Sequence, residues 1–102
     1  MAIEKKYLKT KPVCKVKFIL DDKETNGAKK VNLVGDFNEW DKEANQMRKQ
    51  KNGCFATTID LEKDNEYEFR YVIDDEIWRN DAAADKYNYS AVGDAENSVV
   101  VV

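Results

Sequence analysis

Residues 66–74 read EYEFRYVID, the strictest alternation of apolar and polar residues in the chain. The apolar positions hold Tyr67, Phe69, Tyr71 and Ile73, and charged residues fill most of the others. Successive side chains of a β-strand point to opposite faces, so this pattern predicts a strand with one buried and one solvated face. The stretch therefore indicates β structure at the centre of the fold.

Residues 12–20, 30–37 and 55–61 alternate in the same way and predict further strands. Residues 77–79 predict a short strand after an acidic turn, and residues 97–102 predict a closing strand because they are rich in β-branched residues. Asn26-Gly27 and Asn52-Gly53 are typical of tight hairpin turns. Residues 38–50 carry no strand pattern, and residues 80–96 are predicted to form a loop with one helical turn around 82–85.

Strands about ten residues apart, separated by polar turns, predict an all-β, immunoglobulin-like antiparallel β-sandwich. The chain has 102 residues, which suits one domain. We predict an N-terminal extension over residues 1–12 and a single sandwich over residues 13–102. The residues expected to meet in its core are Phe18, Leu33, Phe55, Ile59, Phe69, Tyr71 and Val99.

Composition argues against several functions. The chain has no histidine, and its two cysteines are Cys14 and Cys54. Zinc sites and the common nucleophile–base pairs need such residues in clusters, so neither a metal site nor a cofactor is expected. Carboxylates are abundant, but a glycosidase needs two of them across a cleft. They concentrate in predicted turns here, so no enzyme is expected.

Charge and hydrophobicity indicate which partners and which cellular location to expect. The first 51 residues carry 13 Lys and Arg against 8 Asp and Glu, whereas the remainder carries 4 against 12. With an overall net charge of −3, nucleic acid is not expected as a partner. The N-terminal residues have no secretory pattern, and no apolar run is long enough for a membrane. We therefore expect a cytoplasmic protein with both cysteines unpaired.

Two tryptophans lie outside the alternating rows. Trp40 follows the predicted second strand, and Trp78 follows an acidic turn. An indole ring suits the apolar face of a pyranose, while polar neighbours can reach its hydroxyl groups. The alternative is that each ring covers one end of the core.

Four separated motifs, covering about residues 13–102, resemble one known family. They are VNLVGDFNEW (31–40), NEYEFRYVIDD (65–75), WRND (78–81) and ENSVVV (96–101). Their order is similar to that in the early-set domains of isoamylases and branching enzymes. It is equally similar to the glycogen-binding domain of the AMP-activated protein kinase β-subunit, grouped with them as carbohydrate-binding module family 48. The resemblance implies a non-catalytic module that binds α-1,4-linked glucan such as glycogen, starch or maltooligosaccharide.

The resemblance also implies a site. The family's stacking tryptophans fall on Trp40 and Trp78, and its basic hydrogen-bonding residue, usually Lys, falls on Arg70. The family's Asn before the last strand falls on Asn97. From the residues alone, Arg70 could equally form a cross-strand ion pair, and Asn97 could be a turn residue bonded to its own backbone.

The chain also departs from the family pattern. Only Val92 could replace the bulky aliphatic residue that contacts the glucan in the kinase domain. Ala82 stands where many relatives have Pro, and Tyr87 and Tyr89 add aromatic rings to the same loop. Two functions remain open: a glucan-binding module that serves glycogen-metabolising enzymes in trans, or an early-set module that docks such an enzyme and binds no sugar itself.

Overall fold

The computed structural model describes residues 1–90 and 95–102, and in it two antiparallel sheets pack face to face. The first sheet contains, in spatial order, β1 (Ala2–Tyr7), β2 (Val13–Leu20), β5 (Phe55–Glu62) and β4 (Arg48–Lys49). The second contains β3 (Val31–Gly35), β6 (Glu66–Ile73), β9 (Ala95–Val101) and β8 (Lys86–Ser90), and β7 (Ile77–Arg79) pairs with β6. The predicted all-β, immunoglobulin-like sandwich is confirmed.

The core lies between the sheets and is built from the alternating rows. Phe18 contacts Phe69 edge to face with ring centroids 5.1 Å apart, and Phe69 contacts Tyr71 in the same way at 5.7 Å. Leu33 and Phe55 are buried in the same cluster, and the partly buried Ile59 packs against it. These predicted core positions are confirmed.

Val99 is a correction to the predicted core. It is fully buried, but it lies outside the cluster between the sheets. It pairs with Glu68 across β9 and β6, whereas Val100 pairs with Tyr67. Residues paired across an antiparallel ladder share a face, so Val99 faces away from the first sheet and Val100 faces the core. A run of four valines has no alternation from which the sequence could assign a face.

The Asn26-Gly27 pair does not form the hairpin that the sequence predicts. It ends a one-turn helix, α1 (Asp22–Thr25), with Asn26 in the left-handed conformation at φ 52°. Asp21 caps the helix by accepting from the Glu24 backbone N–H at 2.8 Å, and the Glu24 side chain accepts from the Asp21 N–H at 3.1 Å. After this capping box the chain crosses from β2 in the first sheet to β3 in the second. Asn52-Gly53 does form the predicted hairpin turn, between β4 and β5.

Three edge strands were not predicted from the sequence. β1 lies within the segment treated as an extension and pairs with β2 along its whole length. β4 lies in residues 38–50, which carry no strand pattern, and pairs with β5. β8 lies where the sequence predicts a loop, and residues 82–85 form no helix. An edge strand pairs on one side only, and these three strands are defined by their neighbours more than by their own residues.

Candidate functional site

The second sheet has an apolar surface on the side that faces away from the first sheet, here called the outer face. Val34, Val72 and Val99 lie on it and are at most 1% exposed. Their pairing confirms the face: Val34 pairs with Arg70, and Val99 pairs with Glu68. A buried apolar floor on the solvent side of a sheet requires cover from neighbouring side chains, and the tryptophans lie close to this floor.

Trp78 lies on β7, directly beside Val72 in the ladder. The turn before it has positive φ at both central residues, Asp74 at 51° and Asp75 at 61°, which brings β7 back tightly onto β6. The Trp78 side chain is 41% exposed, and the Lys42 ammonium lies 5.5 Å from the centroid of its ring. At that distance the cation attracts the ring's negative face.

Trp40 follows a 3₁₀ turn, Asp36–Asn38, at the end of β3. Glu39 and Trp40 both adopt the left-handed conformation, at φ 57° and 59°. This backbone is costly for a bulky residue and is found where the surrounding structure imposes it, often at binding sites. Here the Trp40 N–H donates to the Gly35 carbonyl at 3.0 Å, which holds the half-buried ring at the strand end.

Asp36 connects Trp40 to the central strand of the sheet. One carboxylate oxygen accepts from the Trp40 indole N–H at 3.1 Å. The other accepts from the Glu68 backbone N–H at 2.8 Å. The indole is thus attached to β6 through a single bridging side chain.

Arg70 and Asn97 form a cross-strand network on the outer face. The Arg70 Nε donates to Asn97 Oδ1 at 2.6 Å, and an Nη donates to the Glu96 carbonyl at 2.7 Å. The Asn97 amide donates to Glu68 at 2.9 Å. The Asn97 side chain is therefore bonded across strands, to Arg70 and Glu68. Both of these Arg70 bonds go to oxygens of neutral groups, so they do not make the simple ion pair that the sequence left open.

Asn80 and Asp81 hold β7 and β9 in place beneath the surface. The Asn80 side-chain oxygen accepts from the Ser98 N–H at 2.9 Å. Asp81 is fully buried and accepts from the Tyr71 hydroxyl at 2.6 Å and the Ala83 N–H at 2.7 Å. Burial, with the nearby Asp81 carboxylate, raises the pKa of Tyr71 far above its ordinary range. Tyr71 therefore remains a proton donor to Asp81.

The structure thus places the four predicted residues on one sheet. Trp78, Arg70 and Asn97 occupy neighbouring strands, and Trp40 lies at the end of the adjoining strand. Among the residues that the structure describes, neither tryptophan belongs to the core cluster. Val92 lies outside the described residues. Tyr87 and Tyr89 are 42% and 66% exposed on β8.

Sequence reasoning missed two residues that organise this site, Asp36 and Lys42. Asp36 bridges Trp40 to β6, and Lys42 approaches the Trp78 ring. The buried Asn32 donates its amide to the Lys42 carbonyl, which anchors that loop to β3. Both missed residues lie in or beside the VNLVGDFNEW motif, but charged residues near a turn carry no signal of such contacts.

Residues 1–90 and 95–102 contain no group of three or more Cys, Asp or Glu side chains arranged to hold a metal ion. Within the same residues, no helix has the length and apolar character needed to span a bilayer.

Comparison with known families identifies one family for most of the chain. Residues 25–100 match carbohydrate-binding module 48, the isoamylase N-terminal domain. The match covers most of the chain, and the chain belongs to this family of non-catalytic, carbohydrate-binding modules. No curated protein matches the chain significantly.

Proposed function

We propose that the outer face of the second sheet binds an α-1,4-linked glucan, with Trp40 and Trp78 stacking on glucose units and Arg70 and Asn97 hydrogen-bonding their hydroxyl groups. The observation that carries this proposal is the large exposed indole of Trp78 beside a buried valine floor, in a family of carbohydrate-binding modules. An exposed ring of this size on a β-strand has no role in the core.

Arg70 supports the proposal through its remaining donors. A guanidinium carries five N–H groups, and the bonds to Asn97 and Glu96 use two of them. These bonds fix the plane of the guanidinium on the outer face, so the other N–H groups are pre-oriented. A pre-oriented donor loses little side-chain entropy when a sugar hydroxyl binds.

The module carries out no chemistry in this proposal. It brings a glucan chain to a glycogen-metabolising enzyme in trans, or keeps that enzyme on its polymer. Few atoms are buried when a sugar stacks on a surface, and hydroxyl desolvation offsets much of the gain. We therefore expect dissociation constants for short maltooligosaccharides roughly between micromolar and millimolar.

The test is a titration of the protein with maltoheptaose, followed by tryptophan fluorescence and by amide NMR shifts. We expect a saturable response to maltoheptaose and none to cellohexaose, whose β-1,4 chain presents its rings differently. Trp78→Ala should abolish most of the binding while the variant stays folded. Trp40→Ala should do the same, although it also removes the bond to Asp36.

Arg70→Ala should weaken binding by about 1–2 kcal/mol, a value between those typical of a neutral hydrogen bond and of one made by a charged group. The matched control is Arg79→Ala, which removes an exposed arginine from the neighbouring strand β7. This variant keeps Arg70 and its bonds to Asn97 and Glu96. If the parent gives no saturable response to any α-glucan while remaining folded, the proposal is wrong. The protein would then be an early-set module that docks a partner enzyme through protein contacts.

A further inference from the structure

A polar depression lies on the opposite side of the molecule from the tryptophans, on the solvent face of the first sheet. It is lined by side chains from β2, β4, β5 and the residues beside β4. The residues that matter are Lys17, Gln46, Arg48, Gln50, Ala56 and Thr58. The four motifs that resemble the family lie outside the strands of this sheet.

Strand register gives the depression its shape. Lys17 of β2 pairs with Thr58 of β5, and Arg48 of β4 pairs with Ala56 of β5. The middle strand therefore presents two small side chains, and each flanking strand presents one long cation. The flanking strands are two spacings apart, about 10 Å. Both cationic side chains are long enough to meet over the small residues between them.

The electrostatics of the depression differ from those of the adjacent row. Lys15, next along the same face of β2, forms an ion pair with Asp60 at 3.1 Å. Among the residues that the structure describes, Lys17 and Arg48 form no ion pair within 4.0 Å, and no carboxylate lines the depression. Glu4 of β1 pairs with Lys17 in the ladder, but it is not part of the lining of the depression. Two cations thus share a concave site with amide and hydroxyl donors.

We propose that this depression binds a phosphate monoester, with Arg48 and Lys17 on the phosphate oxygens and Thr58, Gln46 or Gln50 completing the hydrogen bonds. Arg supplies a planar fork for two oxygens, and Lys supplies a point charge from the other side. A lining of two cations and neutral polar side chains favours a doubly charged group. The ester has two possible sources in a carbohydrate-binding protein: a free sugar phosphate, or a phosphate carried on the glucan chain itself.

The experiment is an amide NMR titration with glucose 6-phosphate at low salt, with glucose as the neutral control. We expect saturable shifts at residues 46–50 and 56–58 with glucose 6-phosphate and none there with glucose. Lys17→Gln and Arg48→Gln should each weaken binding about fivefold or more, because each removes a charge-assisted hydrogen bond. Lys15→Gln is the matched control, since it removes a paired lysine from the same face of the same strand, and it should change binding little.

Shifts that never saturate would overturn the proposal, and so would an equal loss in Lys15→Gln and Lys17→Gln, which would indicate general attraction to a basic surface. A phosphorylated maltodextrin tested on Trp78→Ala distinguishes the two sources. Shifts at the depression with that polymer assign the ester to the glucan, whereas shifts with glucose 6-phosphate alone assign it to a free sugar phosphate. The NMR shifts caused by maltoheptaose are expected on the second sheet. Failure of the proposed phosphate site can therefore be distinguished from failure of the proposed glucan site.

Discussion

Asp81 is a fully buried carboxylate, and its stability in the interior depends on two donors. The Tyr71 hydroxyl and the Ala83 N–H each donate to it. The Asp81 backbone N–H in turn donates to the Ser98 hydroxyl at 2.8 Å. This group fastens the segment after Trp78 to the last strand. The position of the exposed indole therefore depends on a buried hydrogen-bond network beneath it.

Tyr71→Phe should destabilise the protein by roughly 2 kcal/mol at neutral pH, because a buried carboxylate loses a donor. The raised pKa of Tyr71 also sets a pH dependence. Above about pH 10 the unfolded chain releases the tyrosine proton while the native state keeps it, so the parent loses stability by up to about 1.4 kcal/mol per pH unit. The phenylalanine variant has no such loss. Urea denaturation from pH 7 to pH 11 should show that the difference in unfolding free energy between the parent and Tyr71→Phe becomes smaller as the pH rises.

The matched control for this prediction is Phe69→Leu, on the same strand and equally buried. Phe69→Leu destabilises the core without removing a titrating group. The loss of unfolding free energy that it causes should therefore stay constant over the same pH range. A constant gap between the parent and Tyr71→Phe up to pH 11 would contradict the structural role of Tyr71.

Among the elements, β3 packs closely against β6 at Gly35. A methyl group added there would lie 2.5 Å from the Glu68 carbonyl oxygen and 2.8 Å from the Phe69 Cβ. Both are atoms of β6 that cannot rotate away. The close approach brings Asp36 within hydrogen-bonding reach of β6, and Asp36 holds Trp40. Gly35 therefore contributes to the candidate site as well as to the sheet.

Gly35→Ala should cost about 2–3 kcal/mol of stability, because the two strands must separate to admit the methyl group. Gly27→Ala is the comparison: it has open space around it, and its cost comes from a φ of +73°, about 1 kcal/mol. Urea denaturation of both variants measures the difference. Equal costs for the two substitutions would show that β3 can move away from β6 without penalty.

Across the whole molecule, the sandwich buries apolar residues in two places. The main cluster lies between the sheets, and a smaller set of valines lies on the outer face beside the tryptophans. Cys14 belongs to the main cluster and is fully buried, whereas Cys54 is only half-buried beside the β4–β5 turn, and both are free thiols. β2, which carries Cys14, is paired on both sides, with β1 and β5.

Because β2 is paired on both sides, Cys14 should react with a thiol reagent only when the whole domain unfolds. In Cys54→Ser, which leaves Cys14 as the only thiol, labelling should be at least about 10³-fold slower than in the denatured protein, as a domain of ordinary stability requires. Cys14→Ser, which leaves only Cys54, should label much faster under the same conditions. Equal native labelling rates for the two variants would show that the first sheet opens locally.

Alternation in the sequence was enough to predict the all-β class, the central strand and most of the core, because it reports directly which side of a strand is buried. Together with the family resemblance, the sequence also indicated Trp40, Trp78, Arg70 and Asn97 as site residues. The face of Val99, the strands β1, β4 and β8, and the helix-capping role of Asn26 became clear only from the three-dimensional structure. It also decided the contacts of Asp36 and Lys42 with the tryptophan region. Each of these depends on contacts between residues distant in sequence, and neither alternation nor turn chemistry encodes such contacts.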